Sequence, residues 1–445
     1  MMESATILRR HARAIWQAAV EAVDPLERVN AALRQSKTPM ADALAEAERI
    51  FVVGGGKAGA AMAAGVEAAL AERLDRLIGV VNVPAETVRP LRAIRLHAAR
   101  PAGSNRPTAE GVAGVRAMFD LLAQAGPRAV GLCLLSGGGS ALLPAPAEGV
   151  SLQDKQDATV LLHACGATIN EMNCVRKHLS DFKGGRLAKA FGSRPLFGLI
   201  ISDVIGDPLD TIASGPTAPD PTTFADALAV LDRYRLRPRV PPAVLAHLER
   251  GSEGRIDETP KSLPDSVQNL ILGNNHLALA AAGQRAETLG YSVLNLGSFL
   301  EGETRHAAIV HAGIVRSIRS DNLPSPPPTC VLSGGETTVT LSPGHGRGGR
   351  NQEFVLAALQ HLGAGGMGNT VLLSGGTDGE DGPTDAAGAL ADETTLDRAT
   401  RVGLDPARHL ESHDAYPFFE ATGDLLKTGL TGTNVMDVRV LLIGA

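Results

Sequence analysis

A two-domain α/β chain, each domain a layered sandwich around a mainly parallel sheet, is what this sequence predicts. Three observations carry the prediction. Short apolar runs alternate with helix-length segments from residue 50 to the end of the chain. Several of those runs stop directly in glycine turns, namely Gly54-Gly55-Gly56-Lys57, Ser136-Gly137-Gly138-Gly139-Ser140, Ser333-Gly334-Gly335 and Ser374-Gly375-Gly376. Composition shifts at residues 237–242 and 251–264, which divides the chain into 1–240 and 241–445.

Composition narrows the function. Net charge is −6 and only 3% of the 445 residues are aromatic, so neither a nucleic-acid surface nor a base-stacking platform is indicated. The 50 glycines exceed the usual ~7%, and they cluster where α/β folds place ligand loops. Cys133, Cys165, Cys174 and Cys330 are far apart, so no disulfide framework or zinc knuckle is expected. No apolar run reaches the ~18 residues of a membrane span, and a soluble cytoplasmic protein is the expectation.

The elements follow in order. Residues 5–34 read as two helices broken near Asp24-Pro25. Residues 50–53 read as a buried strand, and the alanine-rich run 60–71 as its helix. Strands are expected at 77–83 and 94–96. Thr108 caps a helix to residue 125 without a complete capping box. A buried strand at 129–135, a helix at 152–169, a strand at 195–201 and a helix at 224–234 complete the first half. The second half reads as strands at 270–272, 291–296, 329–332, 370–373 and 437–443. An antiparallel strand is expected at 337–341. Helices are expected at 278–289, 303–317, 351–362, 391–399 and 415–422.

The first glycine turn presents bare N–H groups and a helix N-terminus, which favour an anion. Gly54, Gly56 and Gly59 fit the dinucleotide pattern. The strand at 77–83, however, ends in Asn82-Val83-Pro84 without a ribose-binding acid. Lys57 inside the turn suits a polyphosphate better, so a nucleoside triphosphate is the preferred ligand, against a dinucleotide or a plain turn. Ser140 lacks a nucleophile elbow and reads as a donor to a phosphate or carboxylate. Arg347 and Arg350 on the loop before Asn351 suggest an anion clamp, although Asn351 also reads as a helix cap. Asp203 and Asp207, with Asp378 and Asp381, lie in strand-end loops and suit Mg²⁺, which takes one or two carboxylates plus substrate phosphates.

Together these stretches resemble the glycerate 2-kinase family, the two-part enzymes with a C-terminal MOFRL domain. The matching motifs run through Val53-Gly-Gly-Gly-Lys57, Leu135-Ser-Gly-Gly-Gly-Ser-Ala-Leu142 and Asn173-Cys-Val-Arg-Lys-His-Leu-Ser180. They continue with Lys183-Gly-Gly-Arg-Leu187, Ser202-Asp-Val-Ile-Gly-Asp207, Ser214-Gly-Pro-Thr217 and Ser333-Gly-Gly-Glu-Thr337. Gly346-Arg-Gly-Gly-Arg-Asn-Gln-Glu353, Thr377-Asp-Gly-Glu-Asp-Gly382 and Thr431-Gly-Thr-Asn-Val435 complete them. One stretch departs from the family, Arg100-Pro-Ala-Gly-Ser-Asn-Arg-Pro107, where a His-Pro-x-Pro-Asp-like loop is usual.

The resemblance implies a Rossmann-like N-terminal domain, an α/β MOFRL domain near 325–443 and an active-site cleft between them. It implies ATP-dependent phosphorylation of D-glycerate to 2-phosphoglycerate. Lys57 and Arg350 are the implied catalytic residues, and Asp203 is a candidate base. Mg²⁺ falls to Asp203 and Asp207. ATP contacts fall to Gly54, Gly55, Gly56, Ser136, Gly137, Gly138, Gly139, Ser140, Gly334, Gly335, Arg347, Asn351, Asp378 and Gly379. A homodimer is the assembly to test. Members are also labelled hydroxypyruvate reductases, so an NAD(P)H-dependent reductase is the alternative; the missing ribose-binding acid counts against it.

Overall fold

Phe51 to Gly55 are buried on both faces of their strand, which is the environment of a central strand in a parallel sheet. The structure, a computed structural model, describes residues 2–101 and 106–445 and places that strand there. The departing loop at 100–107 therefore lies partly outside the described residues. The N-terminal sheet contains β1 (Arg49–Gly55), β2 (Leu77–Pro84), β3 (Ile94–Arg100), β4 (Ala129–Leu135), β5 (Leu196–Ile201) and β6 (Val267–Gly273). Its order is β3-β2-β1-β4-β5-β6, and β1 to β5 pair in parallel. This is the order of dinucleotide-binding folds, with its reversal between β1 and β4.

Val53, Val80, Cys133, Leu135, Leu187 and Ile200 share the core against this sheet. A second core joins the helices Leu152–Ala164, Ile169–His178, Phe224–Arg233 and Pro242–Ser252 through Leu162, Val175, Phe224, Leu231, Val244 and Leu248. Ser151 with Asp154, Thr168 with Glu171 and Thr223 with Asp226 form complete capping boxes at the first three. Thr108 caps its helix alone, as expected.

The C-terminal sheet contains β7 (Ser292–Asn295), β8 (Thr329–Gly335), β9 (Thr370–Gly376), β10 (Gly388–Asp392), β11 (Leu425–Leu426) and β12 (Asp437–Ile443). Its order is β11-β10-β9-β12-β8-β7. Here the expectation of a mainly parallel sheet is corrected: β12 runs antiparallel to both β8 and β9, and only β7 with β8 is parallel. The strand expected at 337–341 is a loop with one isolated bridge from Thr338 to Glu303, because the Thr337 hydroxyl is turned inward to Thr304. The segment 391–399 is split between the end of β10 and the helix Thr395–Arg401.

The chain divides into two units, Pro25–Leu272 and Met1–Asp24 with Gly273–Ala445. This corrects the boundary near 240 at both ends. Helix Pro242–Ser252 completes the helical core of the N-terminal unit. Helix Met2–Glu21 instead belongs with the C-terminal sheet: Arg9 pairs with Asp392 and Asp424, and the Trp16 indole donates to the Gly375 carbonyl. No described helix is long and apolar enough to cross a membrane.

Candidate functional site

Of the four glycine turns, topology singles out two. Gly54–Gly56 and Ser136–Ser140 leave the carboxyl ends of β1 and β4, on either side of the strand-order reversal where open α/β sheets bind ligands. The turns are pressed together. The Lys57 amide donates to the Gly137 carbonyl at 2.8 Å, and the Ala58 amide donates to the Ser136 hydroxyl at 3.1 Å. A Cβ on Gly56 would stand 2.0 Å from the Ser136 Oγ, and one on Gly54, at φ +130°, would stand 2.0 Å from the Leu134 carbonyl oxygen. These glycines are required by neighbouring backbone whether or not a ligand is bound. Ser136 is buried, and its hydroxyl serves this junction. Gly138 is left-handed at φ +72°, and a Cβ there would lie 3.4 Å from both Lys57 Cγ and Arg100 Nη2. Lys57 and Arg100 thus converge on the second turn. Gly139 starts the short helix that carries Ser140.

Ser140 is half-buried and is the hub of the site. Its Oγ accepts from the Arg176 guanidinium and, at 3.0 Å, from the Lys183 ammonium. It lies 3.1 Å from the Ser214 Oγ, which in turn donates to Asn173 Oδ1 at 3.2 Å. Lys183 also donates to the Ala213 carbonyl at 2.9 Å. Ala213 and Ser214 both take left-handed φ, which brings this carbonyl and hydroxyl to the cluster. Lys155 is buried on its helix, and its Nζ has no hydrogen-bond partner. Burial, with Arg176 adding to it, pulls the Lys155 ammonium down to about 7 against a weaker opposing pull from Asp181. Burial likewise lowers Lys183 well below the ordinary lysine value, with Arg176 and Lys155 acting in the same direction.

Asp203 and Asp207 lie on the loop after β5 and are partly exposed, Asp207 at φ +54°. Among the described residues no group of three or more His, Cys, Asp or Glu side chains could cage a metal. Two loop carboxylates suit a magnesium ion that arrives on phosphates rather than one held by protein alone. A cavity of about 570 Å³ elsewhere in this unit is lined by Val112, Phe119, Val150 and Asp181, and no residue of the glycine turns lines it.

The C-terminal unit gathers the other expected residues at one end of its sheet. Asp437 opens β12 opposite Gly335 of β8 and Gly376 of β9. Its fully buried carboxylate accepts two bonds from Arg350, at 2.7 and 3.0 Å, one from Asn351 at 2.8 Å and one from Arg439 at 3.3 Å. Arg350 also pairs with Glu336 at 3.1 Å. Burial works against its charge, but these carboxylates prevail and raise its pKa. Asp381 accepts the Asn351 and Gln352 amides at the start of helix Arg350–Gly366, and burial pushes its carboxyl up to about 6.

Asn351 does not act as the N-cap, which is Gly349. Its buried amide joins Asp381, Asp437 and Ser374. Arg347 stacks on Tyr416, 3.9 Å from the ring centroid. Gly334 is crowded by Asn275, Gly335 by the Leu300 backbone and Gly379 by the Gly429 carbonyl, so these glycines answer to packing. Asp378 is partly exposed, and its carboxylate accepts the Glu380 amide.

Sequence reasoning missed Lys155, Asp437 and Arg439. Arg439 left a signal, a lone charge within the apolar run of β12; Lys155 sits in a polar helical stretch and left none.

A family described as "Domain of unknown function (DUF4147)" matches residues 11–249, and the MOFRL family matches residues 329–437. The chain is 37% identical to the glycerate 2-kinase of Pyrococcus horikoshii, covering 96% of this chain and 95% of that one. It is 42% identical to a putative hydroxypyruvate reductase of Agrobacterium vitis, covering 98% and 94%. The crystal structure of glycerate kinase from Thermotoga maritima is similar, with a TM-score of 0.87 at 35% identity over 98% of this chain and 100% of that one.

Proposed function

The chain belongs to the glycerate 2-kinase family, and on that premise we propose that it transfers the γ-phosphoryl group of ATP to the 2-hydroxyl of D-glycerate. The observation that carries this reading is the pair of interlocked glycine turns at the sheet's reversal point, with Lys57 and the Ser140 cluster beside them. Phosphoryl transfer depends mainly on positioning and on charge stabilisation. Lys57 neutralises charge on the transferring oxygens. The backbone amides of Gly137 and Gly138 donate to phosphate or carboxylate, and the Ser140 hydroxyl aligns the cations beside them. Asp203 holds or orients the attacking hydroxyl, and with Asp207 it would ligate Mg²⁺, which supplies charge neutralisation between phosphates. For Arg350 the ground for a catalytic role is the family resemblance, and its two carboxylate partners hold it charged and oriented.

A coupled kinase assay with D-glycerate, followed by phosphorus NMR of the product, tests the proposal. Product phosphorylated at the 2-position supports it; no ATP turnover with D-glycerate overturns it. The same preparation with hydroxypyruvate and reduced nicotinamide tests the reductase alternative. Against that alternative, the end of β2 holds Asn82, a buried amide tied to the Gly111 and Leu142 carbonyls, where a ribose-binding acid is needed. A homodimer and a cytoplasmic location complete the reading, and sedimentation and cell fractionation test them.

A further inference from the structure

The N-terminal unit shows how it treats a buried lysine that is meant to be self-contained. Lys177 is 2% exposed, and its ammonium lies 2.7 Å from Asp220 and 3.2 Å from Asp210. Lys183 is 1% exposed and donates only to a serine hydroxyl and a backbone carbonyl. Lys155 is 7% exposed, and its ammonium has no hydrogen-bond partner at all. Arg176 gives one of its N–H groups to the hydroxyl that Lys183 already uses.

The hydrogens along this network all point the same way. Asn173 Oδ1 can only accept, so Ser214 donates to it and must accept from Ser140. Ser140 therefore has its hydrogen spent and its oxygen filled by Lys183 and Arg176. What remains on these three cationic side chains is N–H donors without a carboxylate hydrogen bond, Asp181 acting on Lys155 only through space. Several buried cations short of hydrogen-bond acceptors are costly, and an oxyanion would supply the missing acceptors.

We propose that Lys155, Arg176 and Lys183, aligned by Ser140 and Ser214, form a seat for one oxyanion of the substrates. The naming of that oxyanion rests on the glycerate kinase reading; the existence of the seat does not. Its source is either the carboxylate of the hydroxy acid or a phosphoryl group of the nucleotide. Ser140 and Arg176 are the members that reach solvent, so the anion enters over them.

The test uses the full chain with Lys155→Met and, as a charge-retaining control, Lys155→Arg. A carboxylate seat predicts that Lys155→Met raises KM for D-glycerate tenfold or more while KM for ATP stays within twofold. A phosphoryl seat predicts the reverse. In either case Lys155→Arg recovers most of the loss. Both KM values within twofold of wild type overturn the proposal, whatever happens to kcat. A binding readout separates this from failure of the kinase reading. The melting temperature of the wild-type chain should rise with inorganic phosphate or with D-glycerate, in the absence of nucleotide, and the rise should vanish in Lys155→Met. A chain without kinase activity that still shows this keeps the seat and loses the identity of its ligand. No rise with either probe overturns the seat.

Discussion

The two units use the same local device, an apolar strand running into Ser-Gly-Gly, yet they balance charge in opposite ways. In the C-terminal unit Arg350 and Arg439 meet at the buried carboxylate of Asp437, and Arg350 has Glu336 besides. In the N-terminal unit Arg176 and Lys183 meet hydroxyl and carbonyl oxygens, and the buried Lys155 ammonium has no hydrogen-bond partner. A charge already matched by the protein helps to build the fold. A charge left unmatched in a low-dielectric pocket is available to a ligand. The contrast separates residues that the glycine motifs alone would place together.

The largest expected effect falls on the balanced side. Asp437→Ala leaves Arg439 buried without its carboxylate and should lower the stability of the C-terminal unit by about 3–5 kcal/mol, measured by urea denaturation. A loss under about 1 kcal/mol would mean that the arginines are balanced elsewhere. Next comes Lys57→Ala, which should lower kcat by about 10²–10³-fold with little change in denaturation midpoint. Full turnover in this variant would remove Lys57 from the chemistry.

The third prediction has the opposite sign for stability. Lys155→Met removes an unpartnered buried ammonium and should stabilise the free protein by about 1–3 kcal/mol near neutral pH. The pH dependence follows from the lowered pKa of Lys155, about 7 in the fold against 10.5 ordinarily. Between those values the unfolded chain binds the proton more tightly, so wild-type stability rises with pH relative to the variant. The difference should be fully developed below pH 7 and close by pH 10.5. Removing Lys155 also relieves its downward pull on the Asp181 carboxyl and on the Lys183 ammonium, so both groups titrate higher in the variant. A pH-independent difference would show that packing rather than charge decides it. The smallest effect is that of Arg347→Ala, which loses the exposed stack on Tyr416 at about 0.5–1 kcal/mol. A rise in KM for ATP without that stability loss would make Arg347 a ligand contact.

Local chemistry on the sequence determined a good deal by itself. Alternating apolar runs and helical segments specified the α/β class, because burial on both faces requires near-continuous Val, Leu and Ile. Thr108 announced its cap, since a hydroxyl beside free amides needs no distant partner. The glycine turns marked the strand ends. Tertiary structure decided what pairing and packing across long separations alone can decide. It put the β1 and β4 turns at the sheet's reversal, made β12 antiparallel between β8 and β9, and gave helix Met2–Glu21 to the C-terminal unit. It also gave Asn351 to an internal amide network and left the buried Lys155 ammonium without a hydrogen-bond partner. Charge balance is a property of neighbours far apart in the chain, and no single stretch of sequence contains it.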